Sequence, residues 1–181
     1  MLFRSKRMTL YKDTLKDEDL RDDEPQVEPA RIPLTLKITK ETTFGLESLI
    51  DPGASHNFIS FEAWQTLPKE SMVPTNAMVR AITGTWTKPI GHVTLDVIIA
   101  KYVLQVRFYV LPTGTMEEHV VLGWAWCYLT NCQIDWHKQQ AKMLYKGHAT
   151  QVPLLHAGTS TQSLTPKSGD LTMEKSKGKK L

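Results

Sequence analysis

The chain has 181 residues, 41% hydrophobic and 8% aromatic, enough for one compact domain if its ends lie outside the core. Its formal net charge is only +3, from 22 basic and 19 acidic residues held in opposing regions, which by itself gives no support to nucleic acid as a partner, and none is expected. The longest aliphatic run, Val97 to Ala100, is far short of a signal peptide or a membrane span, so no membrane partner is expected and the protein is assigned to the cytoplasm or nucleus rather than to a secreted class.

Residues 1–29 read as a disordered acidic leader: Asp13, Asp17, Glu18, Asp19, Asp22, Asp23, Glu24 and Glu28 crowd a stretch closed by Pro25 and Pro29, and such a segment buries little. The domain itself is expected over 30–148. Alternation from Ile32 to Ile38 predicts a half-buried strand, with Pro33 suited to an edge or a strand start. Phe44 to Ile50 is its predicted partner and delivers Asp51 to the turn Asp51-Pro52-Gly53-Ala54-Ser55. Pro and Gly suit β-turn positions, and Gly53 is expected to tolerate positive φ and a close backbone approach. Taken alone, an Asp-Pro-Gly run is an ordinary β-turn.

Beyond the turn, Phe58-Ile59 predicts a brief strand, and Phe61, Trp64 and Leu67 a short helix stopped by Pro68. Residues 78–99 read as one hairpin, Met78 to Ile82 and Ile90 to Ile99, with a polar tip at Thr83-Gly84-Thr85. Val103 to Val110, β-branched and aromatic, is a long strand. A second helix is expected within 123–131, then strands near Gln133 to Trp136 and Lys142 to Tyr145. Residues 149–181 are expected as a flexible Ser/Thr/Lys-rich tail. Many short strands with one or two short helices make an all-β fold, a closed or barrel-like sheet.

Nothing in the sequence calls for a cofactor or a metal. Cys127 and Cys132, the only cysteines, lack the further ligands of a zinc site and read as buried reduced thiols. There is no Gly-rich phosphate loop and no helix with paired metal histidines.

The segment Leu49-Ile50-Asp51-Pro52-Gly53-Ala54-Ser55 resembles the active-site loop of retroviral and retrotransposon proteases, whose usual form is apolar-apolar-Asp-Ser/Thr-Gly-Ala-Ser/Thr. Val120-Val121-Leu122-Gly123 resembles a second landmark of that family, with Gly123 lying 72 positions after Asp51. Cys132-Gln133-Ile134-Asp135-Trp136 is similar to the apolar-Asp-Trp strand of gypsy-class retroelement proteases. The resemblance spans about residues 30 to 146 and implies a retropepsin-like closed β-barrel.

It also implies an aspartic endopeptidase, processing a retroelement polyprotein in extended form. Asp51 is then the catalytic residue, Gly53 and Ala54 shape the substrate-binding loop floor, and Thr83 and Gly84 belong to a flap over the substrate, a plain hairpin being the competing reading. Metal-free peptide hydrolysis wants one carboxylate to activate water and a protonated one to donate, and two like charges about 3 Å apart share a proton. The chain holds one such loop, so the partner implied is a second copy in a twofold homodimer. His56 is expected as a surface or supporting residue and Asn57 as structural. Two positions depart from the family pattern. Pro52 lacks the hydroxyl that bonds across the dimer, and Ala125 stands where gypsy-type proteases commonly carry Asp before the Trp. The alternative is a catalytically inactive, domesticated dimer that binds peptide or scaffolds an assembly.

Overall fold

The computed structural model describes residues 28–68, 72–81, 83–99 and 102–156, together with the backbone of 167–168. The leader through residue 27 and the tail segments 157–166 and 169–181 lie outside the described residues.

In chain order the elements are β1 (Arg31–Lys37), β2 (Thr42–Ile50), β3 (Asn57–Ser60), α1 (Phe61–Thr66), β4 (Val79–Arg80), β5 (Trp86–Thr87) and β6 (Gly91–Ile99). They continue with β7 (Tyr102–Leu111), β8 (Val120–Leu122), α2 (Trp124–Leu129), β9 (Gln133–Asp135), β10 (Gln140–Tyr145), β11 (His148–Pro153) and β12 (Lys167–Ser168). The main sheet runs β1-β6-β7-β3-β8-β2, and a β1–β2 pairing closes it into a barrel. β12 pairs with Thr42 and Thr43 at the start of β2. The fold is therefore all-β, a closed barrel with two short helices.

Period-two alternation puts one face of each long strand inside. Ile32, Leu34 and Leu36 of β1 meet Phe44, Leu46 and Ile50 of β2, Val93, Leu95 and Val97 of β6, and Leu104, Val106, Phe108 and Val110 of β7. Each of these side chains is nearly solvent-free, and full burial of one aliphatic or Phe side chain is worth about 1.5–3 kcal/mol. The first helix starts where expected, because the Ser60 hydroxyl accepts the Ala63 N–H at 3.1 Å as an N-cap.

Two expectations are corrected. The predicted 78–99 hairpin divides. β4 pairs only with β5, in the register Val79↔Thr87 and Arg80↔Trp86, while Gly91–Ile99 pairs with β7 along its whole length and with β1. The alternating face of β6 needs barrel neighbours on both edges, and a two-residue strand cannot supply them. The second concerns the boundary at 148, which falls inside ordered structure. β11 pairs with β10 through Pro153, Leu154 is buried, and the Leu155 N–H donates to Arg31 O at 2.8 Å.

Candidate active site

β8 builds the site. It lies between the strands that flank the Asp51 turn, parallel to β2 (Leu49↔Val121, Ile50↔Leu122) and antiparallel to β3 (Phe58↔Val121, Ile59↔Val120). The chain leaves the barrel at Ile50 and re-enters at Asn57, and the turn projects from that gap. The Asp51 N–H donates to Leu122 O at 3.0 Å, so the backbone of the carboxylate is one rung further along the β2–β8 ladder.

The turn is closed by Ala54 N–H donating to Asp51 O at 3.1 Å, and Gly53 N–H donates to Asp51 Oδ1 at 2.9 Å. Pro52 occupies the first central position, where its fixed φ suits the turn. Gly53 does not use the left-handed region that glycine tolerates. Its missing side chain matters for space instead: a Cβ there would lie 3.1 Å from Asp51 Oδ1. Asp51 itself is half-buried, with one oxygen tied to the turn.

Gly123 underpins the turn from the other side. A Cβ on it would collide with His56 O and lie 2.6 Å from Ala54 O, so only glycine lets the end of β8 pass this close to the turn. Its N–H donates to Asn57 Oδ1 at 3.0 Å, and Asn57 Nδ2 donates to Arg107 O at 3.2 Å. Trp124 N–H donates to Ala54 O at 2.6 Å. Asn57 is thus a buried clip joining β3, β7 and β8. Neither this clip nor the Trp124 link has a local signal, since both depend on pairing across the barrel.

Cys127 lies one helical turn on from Gly123, its N–H donating to Gly123 O at 3.1 Å. Both cysteines are free thiols, Cys127 buried and Cys132 half-buried. The hydrogen bond from Cys132 draws the Cys127 thiol below its ordinary pKa, opposed by burial and by the charge of Asp51. Cys132 is pushed up by the same bond and by burial.

Among the sequence-predicted site residues, the fold brings Asp51, Gly53 and Ala54 together. Thr83 and Gly84 form the tip of the separate β4–β5 hairpin. There Gly84 has φ of 91°, its N–H donates to Ala81 O at 2.9 Å, and the Arg80 guanidinium lies 5.7 Å from the Trp86 ring centre. Among the described residues no hydrogen bond joins this tip to the Asp51 turn. His56 is exposed, with Nδ1 2.7 Å from the Ser55 hydroxyl and its ring edge-on to Tyr109. Ala125 lines an open groove of ≈ 580 Å³ between α2 and β7, with Arg107 and Gln105 on the strand side. Among the described residues no cluster of His, Cys, Asp and Glu is arranged to hold a metal ion, and no helix is long and apolar enough to cross a membrane.

Residues 47–150 match the family model of the PEG10/RTL1 protease domain. No curated protein is similar enough in sequence to count as a match. Among solved structures, the chain is similar to the retroviral protease-like domain of Ddi1 from Leishmania major, with a TM-score of 0.55 and 14% identity over 74% of this chain and 98% of that one. A Legionella pneumophila protein of unknown function overlaps at a TM-score of 0.30 and 12% identity, over 54% of this chain and 84% of that one.

Proposed function

The chain belongs to the PEG10/RTL1 protease domain family, and from that premise we propose that it is an aspartic endopeptidase acting as a twofold homodimer on extended polypeptide. The observation that carries the proposal is the setting of Asp51. Its backbone is locked to Leu122, its Oδ1 accepts from Gly53, and it stands at the mouth of a turn anchored to two strands.

In the active dimer the two Asp51 carboxyls face each other across the axis and share one proton, because like charges that close do not both ionise. The ionised member takes a proton from water as it attacks the scissile carbonyl; the protonated member donates to the carbonyl oxygen. Gly53 and Ala54 form the floor of the cleft. The β4–β5 hairpin, with Thr83 and Gly84 at its tip, covers the substrate, which binds as an added strand. The origin proposed is a gypsy-class retroelement polyprotein, with processing of such a polyprotein as the ancestral reaction and a cytoplasmic or nuclear location. Pro52 favours a second reading, a domesticated dimer that binds peptide without cutting it, since that residue brings neither hydroxyl nor N–H to the axis.

The test is cleavage of an unfolded polypeptide by the purified full chain, with and without a transition-state-mimicking aspartic protease inhibitor, over a range of enzyme concentration. Inhibitor-sensitive cleavage whose specific activity falls on dilution is expected. Absence of cleavage, with inhibitor still bound by a dimer, would favour the second reading.

A further inference from the structure

The face of α2 that points to solvent is apolar. Trp124 is 57% exposed, Tyr128 78% and Leu129 46%, and the Trp124 and Tyr128 rings lie 6.3 Å apart at 37°. They are one turn apart on the helix, so they form a single patch. No Asp, Glu, Lys or Arg occurs from Val120 to Ile134, and depletion of charge with enrichment of aromatics marks the core of protein interfaces.

Position supplies the occupant. The Trp124 N–H is bonded to Ala54 O, so the patch starts at the residue that closes the Asp51 turn. Two Asp51 turns that meet on a twofold axis bring the two patches, each tied to its turn through Trp124, alongside that axis. We infer that the Trp124–Tyr128–Leu129 face of α2 is a dimer contact surface for a second copy of this chain, supplying apolar attachment where Pro52 offers no hydrogen bond across the axis. The inference rests on the homodimer reading and assigns that dimer its anchor.

Area is consistent with this role. With roughly 150–250 Å² per aromatic side chain, the exposed parts of Trp124 and Tyr128 come to on the order of 250 Å² per protomer, about a third of the ~800 Å² per partner in a standard interface. The patch serves as an apolar anchor flanking the axis, with the turns and adjoining strands supplying the remainder. An isologous contact also doubles the effect of each change, because both copies carry it.

The experiment is sedimentation equilibrium on the full chain and on Tyr128→Arg, with Trp136→Ala as a control at an exposed aromatic on the β9–β10 turn. Tyr128→Arg is expected to raise the dimer dissociation constant at least tenfold, with circular dichroism and the melting temperature of the dilute, monomeric chain unchanged, and Trp136→Ala to leave the dissociation constant as in wild type. If the arginine variant does not fold, Tyr128→Ser and Leu129→Ser carry the same expectation with smaller steps. A dimer of wild-type strength in the folded Tyr128 variants would overturn the inference while leaving the homodimer reading in place. So would a loss of peptide binding with the dimer intact, which would make the face a peptide site. A wild-type chain that stays monomeric at every concentration would overturn both.

Discussion

The side-chain carbonyl of Asn57 accepts the backbone N–H of Gly123 across a sequence separation of 66, and this buried bond fastens the start of β3 to the end of β8 directly behind the Asp51 turn. Asn57→Ala leaves that N–H without an acceptor and also removes the donor to Arg107 O. A buried unsatisfied group costs about 1–3 kcal/mol. The expected outcome is a lower urea midpoint with unchanged slope, and a larger loss of activity than the stability change alone produces, because the bond sets the position of the turn.

Glycine substitutions at the two ends of the site should differ in severity. At Gly123 the new Cβ meets backbone carbonyls of His56 and Ala54 that cannot step aside, whereas at Gly53 it meets the Asp51 carboxyl oxygen at 3.1 Å. Overpacking a tight site costs about 1–3 kcal/mol, or more where backbone must move. Thermal unfolding should show Gly123→Ala strongly destabilised or unfolded. Gly53→Ala should retain the fold and lose activity by displacing the carboxylate.

Asp51→Asn keeps the acceptor for Gly53 N–H and removes the shareable proton. Proteolysis should fall to background with dimer and melting temperature preserved. Cleavage by wild type should follow a bell-shaped pH profile whose two pKa values belong to the pair, and should resist chelator. Residual cleavage at the wild-type rate in Asp51→Asn would defeat the protease assignment.

Pro52→Ser tests the missing hydroxyl. Two symmetry-related hydrogen bonds restored across the axis are each worth about 0.5–1.5 kcal/mol net to the dimer, while the folding stability of each chain falls by roughly 0.4–1 kcal/mol as its unfolded state regains freedom. Sedimentation equilibrium should show a modestly tighter dimer and turnover assays a clear rise in rate. An unchanged or weaker dimer would mean that Pro52 is fully accommodated by this turn.

The three-stranded sheet carries the clearest pH signature. Asp135 is held below its ordinary pKa first by the hydrogen bond from Lys142 at 2.8 Å and then by the Lys138 N–H. A depressed folded pKa gives stability that is present above the unfolded value, about 3.9, and is lost as pH falls through the folded value. Asp135→Asn should therefore be less stable than wild type at pH 7, with the gap closing as acid is added. Urea midpoints measured stepwise from pH 7 into the acid range check the convergence; a constant gap would contradict it.

Much of the fold was legible where one face of a strand is apolar. β1, β2, β6 and β7 alternate in sequence as they do in burial. β11 escaped because His148-Ala149-Thr150-Gln151-Val152-Pro153 is largely exposed and held by backbone pairing to β10, leaving no period-two signal. The division of the predicted hairpin was equally hidden, since local turn chemistry at Gly84 is the same whether Gly91–Ile99 pairs next door or across the barrel. At the site, the Asp51 turn and the Leu122-Gly123 pair stood out by residue type. Asn57 was legible only as a structural residue, without its partners, because a single polar residue becomes a clip only once β3, β7 and β8 are side by side.

The insertion of β8 between β2 and β3 also sets an order of events in synthesis. The Asp51 turn is made before the strand that fixes its backbone and the glycine that lets it pack, which come only after β7. Such non-local pairing makes folding slow relative to local structure. A nascent chain ending before Val120 carries the Asp-Pro-Gly motif without the frame that gives it shape. The arrangement acts as a built-in delay, in which the geometry at Asp51 is acquired only after β8 has been made and has paired with β2 and β3.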